Sequence, residues 1–248
     1  MNREATGLAG VRHIAHDTLG STNAEALALA RAGERGPLWI TARTQSAGRG
    51  RRGNAWVSAP GNLFATLLLT EPSALPTAPQ LSFVAALALH DAMCECAPQL
   101  GPALKVKWPN DLLLGGKKVA GILIEGDSEP VFAAAVGVGV NCVSHPSDTG
   151  HPATDLATAG AAVAPEHLFA ALARAMMTRL AQWQKGSGFA SIRADWLKRA
   201  AGLGEDIRVR LPERELSGRF EGLDEAGCLL LKGENGVTTV TAGEVFGL

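Results

Sequence analysis

The spacing of hydrophobic and polar positions along this chain alternates between a strand-like pattern and a helical one. These changes of spacing predict its strands and helices. Short apolar runs bounded by Gly, Pro or Asp are typical of strands, whereas apolar positions three and four apart indicate helices. Strands are predicted over 38–44, 63–69, 104–108, 112–114, 118–125 and 131–140. Helices are predicted over 24–32, 81–97, 166–185 and 189–201. The helix at 81–97 is apolar on most sides, so we expect it to be buried.

The pattern changes after residue 202, where short strands alternate with polar turns. These strands are predicted over 206–211, 216–223, 227–231 and 236–241. A small β-barrel appended to an α+β domain explains this change, with the domains at 1–201 and 202–248. The segment 142–160 is rich in Ser, Pro, Thr, Gly and His without periodicity. We predict a loop there, and a loop of this length is usually functional or disordered.

Composition narrows the class of protein. The chain has 248 residues, with 23 Lys and Arg against 24 Asp and Glu and a formal net charge of -1. This balance argues against a dedicated nucleic-acid binder, which usually carries a basic excess. No apolar run reaches the length of a membrane span and the first residues lack the apolar core of a signal peptide, so we expect a cytoplasmic protein.

The four cysteines show no spacing typical of a zinc site. We interpret them as reduced thiols, and a redox role for Cys94 and Cys96 is the alternative. None of the six histidines has a catalytic or metal-binding spacing, and His90 on the buried helix is interpreted as structural.

A segment rich in glycine and arginine, called the arginine loop below, lies between two predicted strands at 44–53. Glycine allows the backbone to approach a ligand closely, and arginine supplies a planar fork of donors for carboxylates and phosphates. Arg-Gly segments also occur in disordered RNA-binding tails. Here there is a single segment within a strand–loop–strand context, which favours a structured anion-binding loop.

The run Lys-Trp-Pro-Asn-Asp at 107–111 ends a strand, since proline lacks an N–H. Gly115 and Gly116 predict a hairpin turn that brings Asp111 and Lys118 to paired positions. Asp111 then either faces a site and orients a cation or forms an ordinary cross-strand ion pair.

Two further segments have a structural and a functional interpretation. The triplet at 21–23 (Ser-Thr-Asn) precedes a helix, and Thr22 and Glu25 have capping-box spacing. A cap explains the triplet, and a ligand contact is the alternative. Gly137 and Gly139 lack the third glycine and the following helix of a dinucleotide fingerprint. We expect these two glycines to let a ligand approach the strand.

Five motifs in this order resemble those of biotin protein ligases. They are Ser-Thr-Asn (21–23), Gln-x-x-Gly-Arg-Gly-Arg-Arg-Gly (45–53), Lys-Trp-Pro-Asn-Asp (107–111), Lys-x-Ala-Gly-Ile-Leu-x-Glu (118–125) and Gly-x-Gly-x-Asn (137–141). The resemblance spans about residues 12–248, including Gly-Leu-Asp at 222–224 and Gly-Glu at 243–244. It implies an α+β fold: a mixed β-sheet with flanking helices, similar to the catalytic domains of class II aminoacyl-tRNA synthetases and biotin ligases. A small C-terminal SH3-like β-barrel would follow.

The resemblance implies an ATP-dependent ligase that needs Mg²⁺. Biotin would be activated to biotinyl-5′-AMP and passed to a lysine of a biotin carboxyl carrier protein, part of acetyl-CoA carboxylase or a related carboxylase. The implied catalytic residues are Arg49, Arg51 and Lys118. The implied biotin-binding residues are Ser21, Thr22, Asn23, Gln45, Arg49, Gly50, Arg51, Lys118, Gly121 and Ile122. The implied ATP-binding residues are Arg49, Arg51, Asn110, Asp111, Lys118 and Asn141. Asp111 is also the implied ligand of Mg²⁺.

The chain departs from the family pattern in two places. The first is after the arginine loop, where many members have basic residues before the tryptophan and this chain has Asn54, Ala55 and Trp56. The second is at 153–156, which lacks a tryptophan that some bacterial relatives place against adenine. With only about 20 residues before Ser21, the chain resembles the monofunctional type, so no DNA binding is expected. The oligomeric state, including a homodimer, stays open. Lipoate or octanoate ligases and transferases share the fold and are the alternative, but they do not usually carry the arginine loop.

Overall fold

The computed structural model describes residues 3–8, 10–129, 131–147, 150–234 and 236–246, with side chains from residue 10 onward. Positions 148 and 149 of the predicted 142–160 loop, and the last two residues of the predicted barrel, lie outside the described residues. The first sheet contains β1 (Arg3–Leu8), β2 (Val11–Leu19), β3 (Leu38–Gln45), β4 (Leu63–Thr70), β5 (Leu104–Lys107), β6 (Asp111–Leu114), β7 (Lys117–Asp127) and β8 (Ala133–Val140). The helices are α1 (Thr22–Arg31), α2 (Leu81–Cys96), α3 (Pro165–Trp183) and α4 (Phe189–Leu197).

The first sheet is mixed, with the order β1-β2-β3-β4-β8-β7-β6-β5. The strands β2 and β3 pair in parallel, because α1 connects them as a crossover, and the other neighbours pair antiparallel. This confirms the predicted α+β class with a mixed sheet and flanking helices.

The two faces of this sheet are covered differently. Strand side chains alternate between faces, so alternate residues of β4, such as Leu67, pack in the large core that also contains α2, α3 and α4. The other face, including Leu68, packs against Ala26 and Ala30 of α1 in a smaller core. Because α1 is short, it covers only part of this second face. The uncovered part forms the floor of a cavity.

A second, antiparallel sheet follows in the C-terminal region, with the order β12-β11-β10-β9-β13. Its strands are β9 (Asp206–Arg210), β10 (Glu215–Leu223), β11 (Leu229–Gly233), β12 (Gly236–Val240) and β13 (Glu244–Phe246). The buried Trp108 donates a hydrogen bond from its indole nitrogen to the carbonyl of Gly227 at 3.1 Å. The turn after β5 is therefore anchored to the second sheet.

Several predicted elements need correction. The strands β1 and β2 and the short β13 were not predicted. The polar and exposed positions of β2 give little apolar pattern, and its pairing with β3 comes from residues distant in sequence. Helix α1 begins two residues earlier than predicted: Ser21 is its N-cap and accepts from the amide of Ala24 at 3.5 Å. The capping box at Thr22 and Glu25 was therefore wrong by one residue.

The predicted hairpin around Gly115 and Gly116 is confirmed, but its register differs from the prediction. Asp111 pairs with Gly121 and Lys118 pairs with Leu113, because a bulge lies between residues 112 and 113. Asp111 and Lys118 are therefore diagonal neighbours on one face and not directly opposite. No helix among the described residues is both long and apolar enough to cross a membrane.

Candidate functional site

A cavity of about 690 Å³ lies on the face of the first sheet that α1 leaves uncovered. Its walls come from the start of α1, the arginine loop, the turn at 107–111 and the last strand of the second sheet. This volume is typical of pockets that enclose a small ligand. The predicted site residues all line the cavity: Ser21, Thr22, Asn23, Gln45, Arg49, Gly50, Arg51, Asn110, Asp111, Lys118, Gly121, Ile122 and Asn141.

One end of the cavity is polar and uncharged. Gln45 Oε1 accepts hydrogen bonds from the amide and the hydroxyl of Thr22, at 2.8 and 3.1 Å. The fully buried Thr66 donates to Asn23 Oδ1 at 2.7 Å and lies 2.8 Å from Thr22 Oγ1. Ser21, as the cap of α1, stands at the same end. These groups offer donors and acceptors in fixed positions, because each is already held by a neighbour.

Asn23 connects this polar end to the first charged residue of the arginine loop. Its amide nitrogen donates to the Leu123 carbonyl at 3.2 Å and to Glu125 at 2.9 Å. The other oxygen of Glu125 lies 3.1 Å from the guanidinium of Arg49. Arg49 is thus paired with a protein carboxylate here, and about half of its side chain is exposed.

The arginine loop folds back on itself as a small hairpin. Arg49 forms an isolated β-bridge with Ala55, and the amide of Gly50 donates to the Asn54 carbonyl at 2.7 Å. The base of the hairpin is closed by Gln45, whose amide nitrogen donates to Ser58 Oγ at 3.0 Å. This geometry carries the loop over the mouth of the cavity.

Trp56, which follows the arginine loop, reaches the cavity floor, and sequence reasoning did not predict this contact. A Cβ on Gly139 would lie 2.6 Å from the Trp56 ring, and one on Gly121 would lie 2.9 Å from it. A Cβ on Gly137 would lie 2.3 Å from Asn23 Oδ1. The glycines at 137 and 139 line the cavity and also make room for two side chains of this protein. That a ligand approaches the strand at these glycines stays a prediction.

The opposite end of the cavity is cationic. Lys118 Nζ lies 2.7 Å from Asp111 Oδ1, and the Asp111 side chain is 15% exposed. The contact is an ion pair rather than an aligned hydrogen bond, since Asp111 Oδ1 has no hydrogen-bond partner of suitable angle among the described residues. Arg51 donates to Asn110 Oδ1 at 3.2 Å and to the Gly243 carbonyl at 3.4 Å. Burial, followed by the charge of Arg52, lowers the Arg51 pKa.

The two predicted asparagines are held by backbone groups. Asn110 donates from its side chain to the Ile122 carbonyl at 2.7 Å, which leaves its oxygen toward Arg51. Asn141 is buried and donates to the Thr154 carbonyl at 3.0 Å. It thereby fixes the 142–160 loop, which also pairs with Lys118 through a bridge to Ala153. The described part of this loop is packed against β7.

The second sheet completes the cationic end, and the motifs did not predict these contacts in detail. Glu244 hydrogen-bonds to His151 Nε2, and the His151 ring lies 4.6 Å from that of Phe246. Burial raises the Glu244 pKa, but the bond to His151 and the charges of His151, Lys107 and Arg210 together lower it more, so the net shift is downward. Arg210 lies over the Phe246 ring at 4.2 Å. The match of Gly243 and Glu244 to the family pattern was the sequence signal that could have indicated a role for the second sheet in this site.

The described residues contain no cluster of metal-ligating side chains, and their cysteines at 94 and 96 are disfavoured as thiolates. Within the described parts of the chain, no three His, Cys, Asp or Glu side chains converge on a point suited to a metal ion. Burial raises the pKa values of Cys94 and Cys96, which disfavours the reactive thiolate. His90 is buried with Nδ1 3.7 Å from Cys94 Sγ, and burial lowers its pKa.

Two family models match the chain. The Biotin/lipoate A/B protein ligase family matches residues 21–141, and the Biotin protein ligase C terminal domain matches residues 202–247. The first match begins at the cap of α1 and ends at the asparagine after β8. It thus spans the elements that form the cavity in the first sheet.

Similar proteins point to the same family. The chain is 48% identical to a biotin–[acetyl-CoA-carboxylase] ligase of Paracoccus denitrificans, covering 91% of this chain and 96% of the relative. It is 32% identical to the enzyme of that name from Mycobacterium tuberculosis, covering 92% and 86%. A structure of the Aquifex aeolicus biotin protein ligase in complex with biotin and ATP matches with a TM-score of 0.79 at 25% identity, covering 94% and 97%. With these likenesses and both family matches, the chain belongs to the biotin protein ligase family.

Proposed function

We propose that this protein activates biotin with ATP, forms biotinyl-5′-AMP and transfers the biotinyl group to a lysine of a carrier protein. The observation that carries this proposal is the cavity itself, which joins a neutral polar end to a cationic end. Biotin has a neutral ureido ring at one end and a carboxylate at the other. One cavity therefore offers a complementary surface to each end of this substrate.

The neutral end would bind the ureido ring. Ser21, Thr22, Asn23 and Gln45 supply hydroxyl and amide groups that are already oriented by hydrogen bonds. Preorganised donors and acceptors lose little entropy when a ligand binds. The indole of Trp56, which lies against the glycines of the floor, would supply an apolar wall for the rest of the ligand. The strand backbone at Gly121 and Ile122 lines the same pocket.

The cationic end would bind the triphosphate and the biotin carboxylate. The first step joins two anions, so their repulsion must be neutralised where the new bond forms. A biotin carboxylate oxygen attacks the α-phosphorus of ATP, the bond to the bridging oxygen of the β-phosphate breaks, and pyrophosphate leaves. Arg49, Arg51 and Lys118 would neutralise the reacting groups, and Gly50 would let the loop backbone approach them.

Arg49 and Lys118 must first exchange their protein partners. Arg49 is paired with Glu125, and Lys118 is paired with Asp111. A ligand carboxylate or phosphate would offer each cation a competing anion. We infer that ligand binding and closure of the arginine loop are coupled through these two exchanges.

Magnesium would reach the site with the nucleotide. Mg²⁺ bound with ATP is typically held by phosphates, waters and one or two carboxylates, so a full protein ligand set is unnecessary. Asp111 fits this requirement, because its carboxylate lines the cavity and is released when Lys118 turns to a phosphate. When bound, the ion would supply further neutralisation of phosphate charge. Asn110 and Asn141 would position the nucleotide beside it.

The second step needs a lysine amine from outside. The amine attacks the carbonyl carbon of biotinyl-5′-AMP, an amide forms and AMP leaves. The acceptor would be the biotin carboxyl carrier domain of acetyl-CoA carboxylase or a related carboxylase. Residues 1–201 would hold both substrates, while residues 202–248 would close the nucleotide end and protect the adenylate from water until the lysine arrives.

Isothermal titration calorimetry tests the substrate assignment. Biotin is titrated with and without ATP and Mg²⁺, and lipoate is titrated under the same conditions. We expect biotin to bind, and to form biotinyl-5′-AMP when ATP and Mg²⁺ are present. Binding of lipoate without biotin would instead assign the chain to the lipoate branch of the fold and overturn the proposal.

A pair of variants tests the cationic end. Lys118→Met should reduce adenylate formation about 100-fold or more, because it removes an anion-stabilising contact from the reacting centre. Lys117→Met is the matched control, since Lys117 is adjacent, exposed and outside the main cavity. If Lys118→Met kept most of the wild-type turnover, the Asp111 contact would be only a structural ion pair.

A further inference from the structure

The Lys107 side chain is largely buried, and its ammonium forms no hydrogen bond or ion pair with a described residue. Lys107 is the last residue of β5, it lines the cavity, and it is 9% exposed. Among the described residues, none accepts a hydrogen bond from its ammonium group or forms an ion pair with it. A largely desolvated lysine that lacks such a partner is unfavourable, so a lysine in this setting usually has a ligand or a carboxylate beside it.

The nearby carboxylates are engaged elsewhere. Asp111 is in contact with Lys118, and Glu244 is bonded to His151. Both carboxylates are close enough to raise the Lys107 pKa, but burial lowers it more and Lys118 lowers it further. The surroundings of Lys107 therefore stabilise its positive charge incompletely. An anion in the cavity would complete that stabilisation.

The position of Lys107 indicates which anion this is. The charges that act on it belong to Asp111, Lys118 and Glu244, at the cationic end of the cavity. Glu244 lies on the second sheet next to Gly243, whose carbonyl accepts from Arg51 at this end of the cavity. A lysine acts as a flexible point charge and is a common phosphate ligand.

We propose that Lys107 binds the β- and γ-phosphates of ATP and stabilises the pyrophosphate as it leaves. This inference rests on the proposed function, since it assigns a role within adenylate formation. When the bond between the α-phosphorus and the bridging oxygen breaks, its electron pair stays on that oxygen, and negative charge grows on the pyrophosphate. Lys107 would neutralise this growing charge, while Lys118 neutralises the carboxylate and the α-phosphate. The attack of the lysine amine does not use Lys107, because pyrophosphate has already left.

Two half-reactions test this assignment. The first is single-turnover formation of biotinyl-5′-AMP from biotin and ATP with Mg²⁺, measured over a range of ATP and biotin concentrations. The second is transfer from synthetic biotinyl-5′-AMP to hydroxylamine. For Lys107→Met we expect adenylate formation to fall about 100-fold and the ATP requirement to rise. The biotin requirement and the transfer step should stay within about threefold of wild type, because neither involves pyrophosphate.

Lys105→Met is the matched control. Lys105 lies on the same strand two residues earlier but is exposed, so the same substitution there should leave both half-reactions unchanged. Thermal melting accompanies every variant, and Lys107→Gln is assessed by the same criteria if Lys107→Met does not fold. The proposal is overturned if adenylate formation stays within about threefold of wild type. It is equally overturned if both half-reactions fall together. A wild-type protein that forms no adenylate would instead refute the proposed function.

Discussion

A methyl group added at Gly137 should destabilise the protein strongly, whereas the same change at Gly139 should not. Both glycines lie on β8 and face the cavity. Neither needs a positive φ, so alanine suits the backbone at both positions and by itself would stabilise the folded state by about 0.4–1 kcal/mol. The difference in the free energy of unfolding between the two variants therefore measures the cost of the contacts that the new methyl group makes with side chains.

At Gly137 the methyl group meets a fixed side chain. It would lie 2.3 Å from Asn23 Oδ1 and 2.9 Å from Asn23 Cγ, closer than nonbonded atoms can approach. Asn23 is held by Thr66, by the Leu123 carbonyl and by Glu125. Overpacking of this kind costs about 1–3 kcal/mol. Turning Asn23 away would break its bonds to Thr66, to the Leu123 carbonyl and to Glu125, which costs about 1–3 kcal/mol more.

At Gly139 the methyl group meets a side chain that can move. Its nearest neighbours are ring atoms of Trp56 at 2.6 and 2.7 Å. Trp56 follows the arginine loop, is only partly buried, and its indole nitrogen has no hydrogen-bond partner among the described residues. The ring can therefore swing out without breaking a hydrogen bond. We expect a change in stability below about 1 kcal/mol.

Urea unfolding followed by circular dichroism measures both free energies. Gly137→Ala should lose about 2–5 kcal/mol, a large share of a typical stability of about 5–15 kcal/mol. Calorimetry should show a clear loss of biotin affinity in Gly137→Ala, because Asn23 is displaced. The reasoning is refuted if Gly137→Ala unfolds within about 0.5 kcal/mol of wild type, or if Gly139→Ala is destabilised to the same extent.

Three further predictions follow from other contacts. Arg51→Ala removes the bonds to Asn110 and to the Gly243 carbonyl. It should speed the loss of labelled biotinyl-5′-AMP about 100-fold with little change in melting temperature, and parallel losses of both would contradict this. Trp56 is half-buried while the other four tryptophans are at most 3% exposed, so a ligand-induced change in tryptophan emission should vanish in Trp56→Phe. A full response in that variant would place the signal elsewhere. Hydrogen bonds and charges from Gln182, Lys198 and Arg179 lower the Asp195 pKa to about 2. Asp195 therefore stabilises the fold above about pH 4 and loses this contribution as the pH falls toward 2. Asp195→Asn should cost about 1 kcal/mol at pH 7, allowing for solvent screening, and a cost that stays constant in urea unfolding down to low pH would refute the assignment.

Elements with a strong local pattern were predictable from the sequence. Helix α2 was predicted to within one residue, because its apolar residues, its length and the following Pro98 are local signals. The hairpin before β7 was predictable for the same reason, since two glycines define its turn. The strands β1 and β2 were missed, because their residues are stabilised by pairing with each other and with β3 more than by any periodic pattern.

The family motifs identified the residues that line the cavity, but they did not give the spatial arrangement of these residues. The sequence suggested that Asp111 and Lys118 pair directly, whereas a bulge makes them diagonal neighbours. Lys107 belongs to one of the five motifs, yet only its burial and the absence of an ion pair with any described residue indicate a role for it. Neither property has a local sequence signal, because both depend on how far distant segments enclose the side chain.

By itself the sequence determined the class of fold, most of the helices and strands, the family, and the set of residues that line the site. The tertiary structure decided which of those residues meet. Arg51 bonds to the Gly243 carbonyl across 192 residues of chain, and Trp56 lies on the glycines of β7 and β8. The physical reason is that hydrophobic periodicity is local and sets the elements, whereas contacts between side chains depend on sheet register and long-range packing.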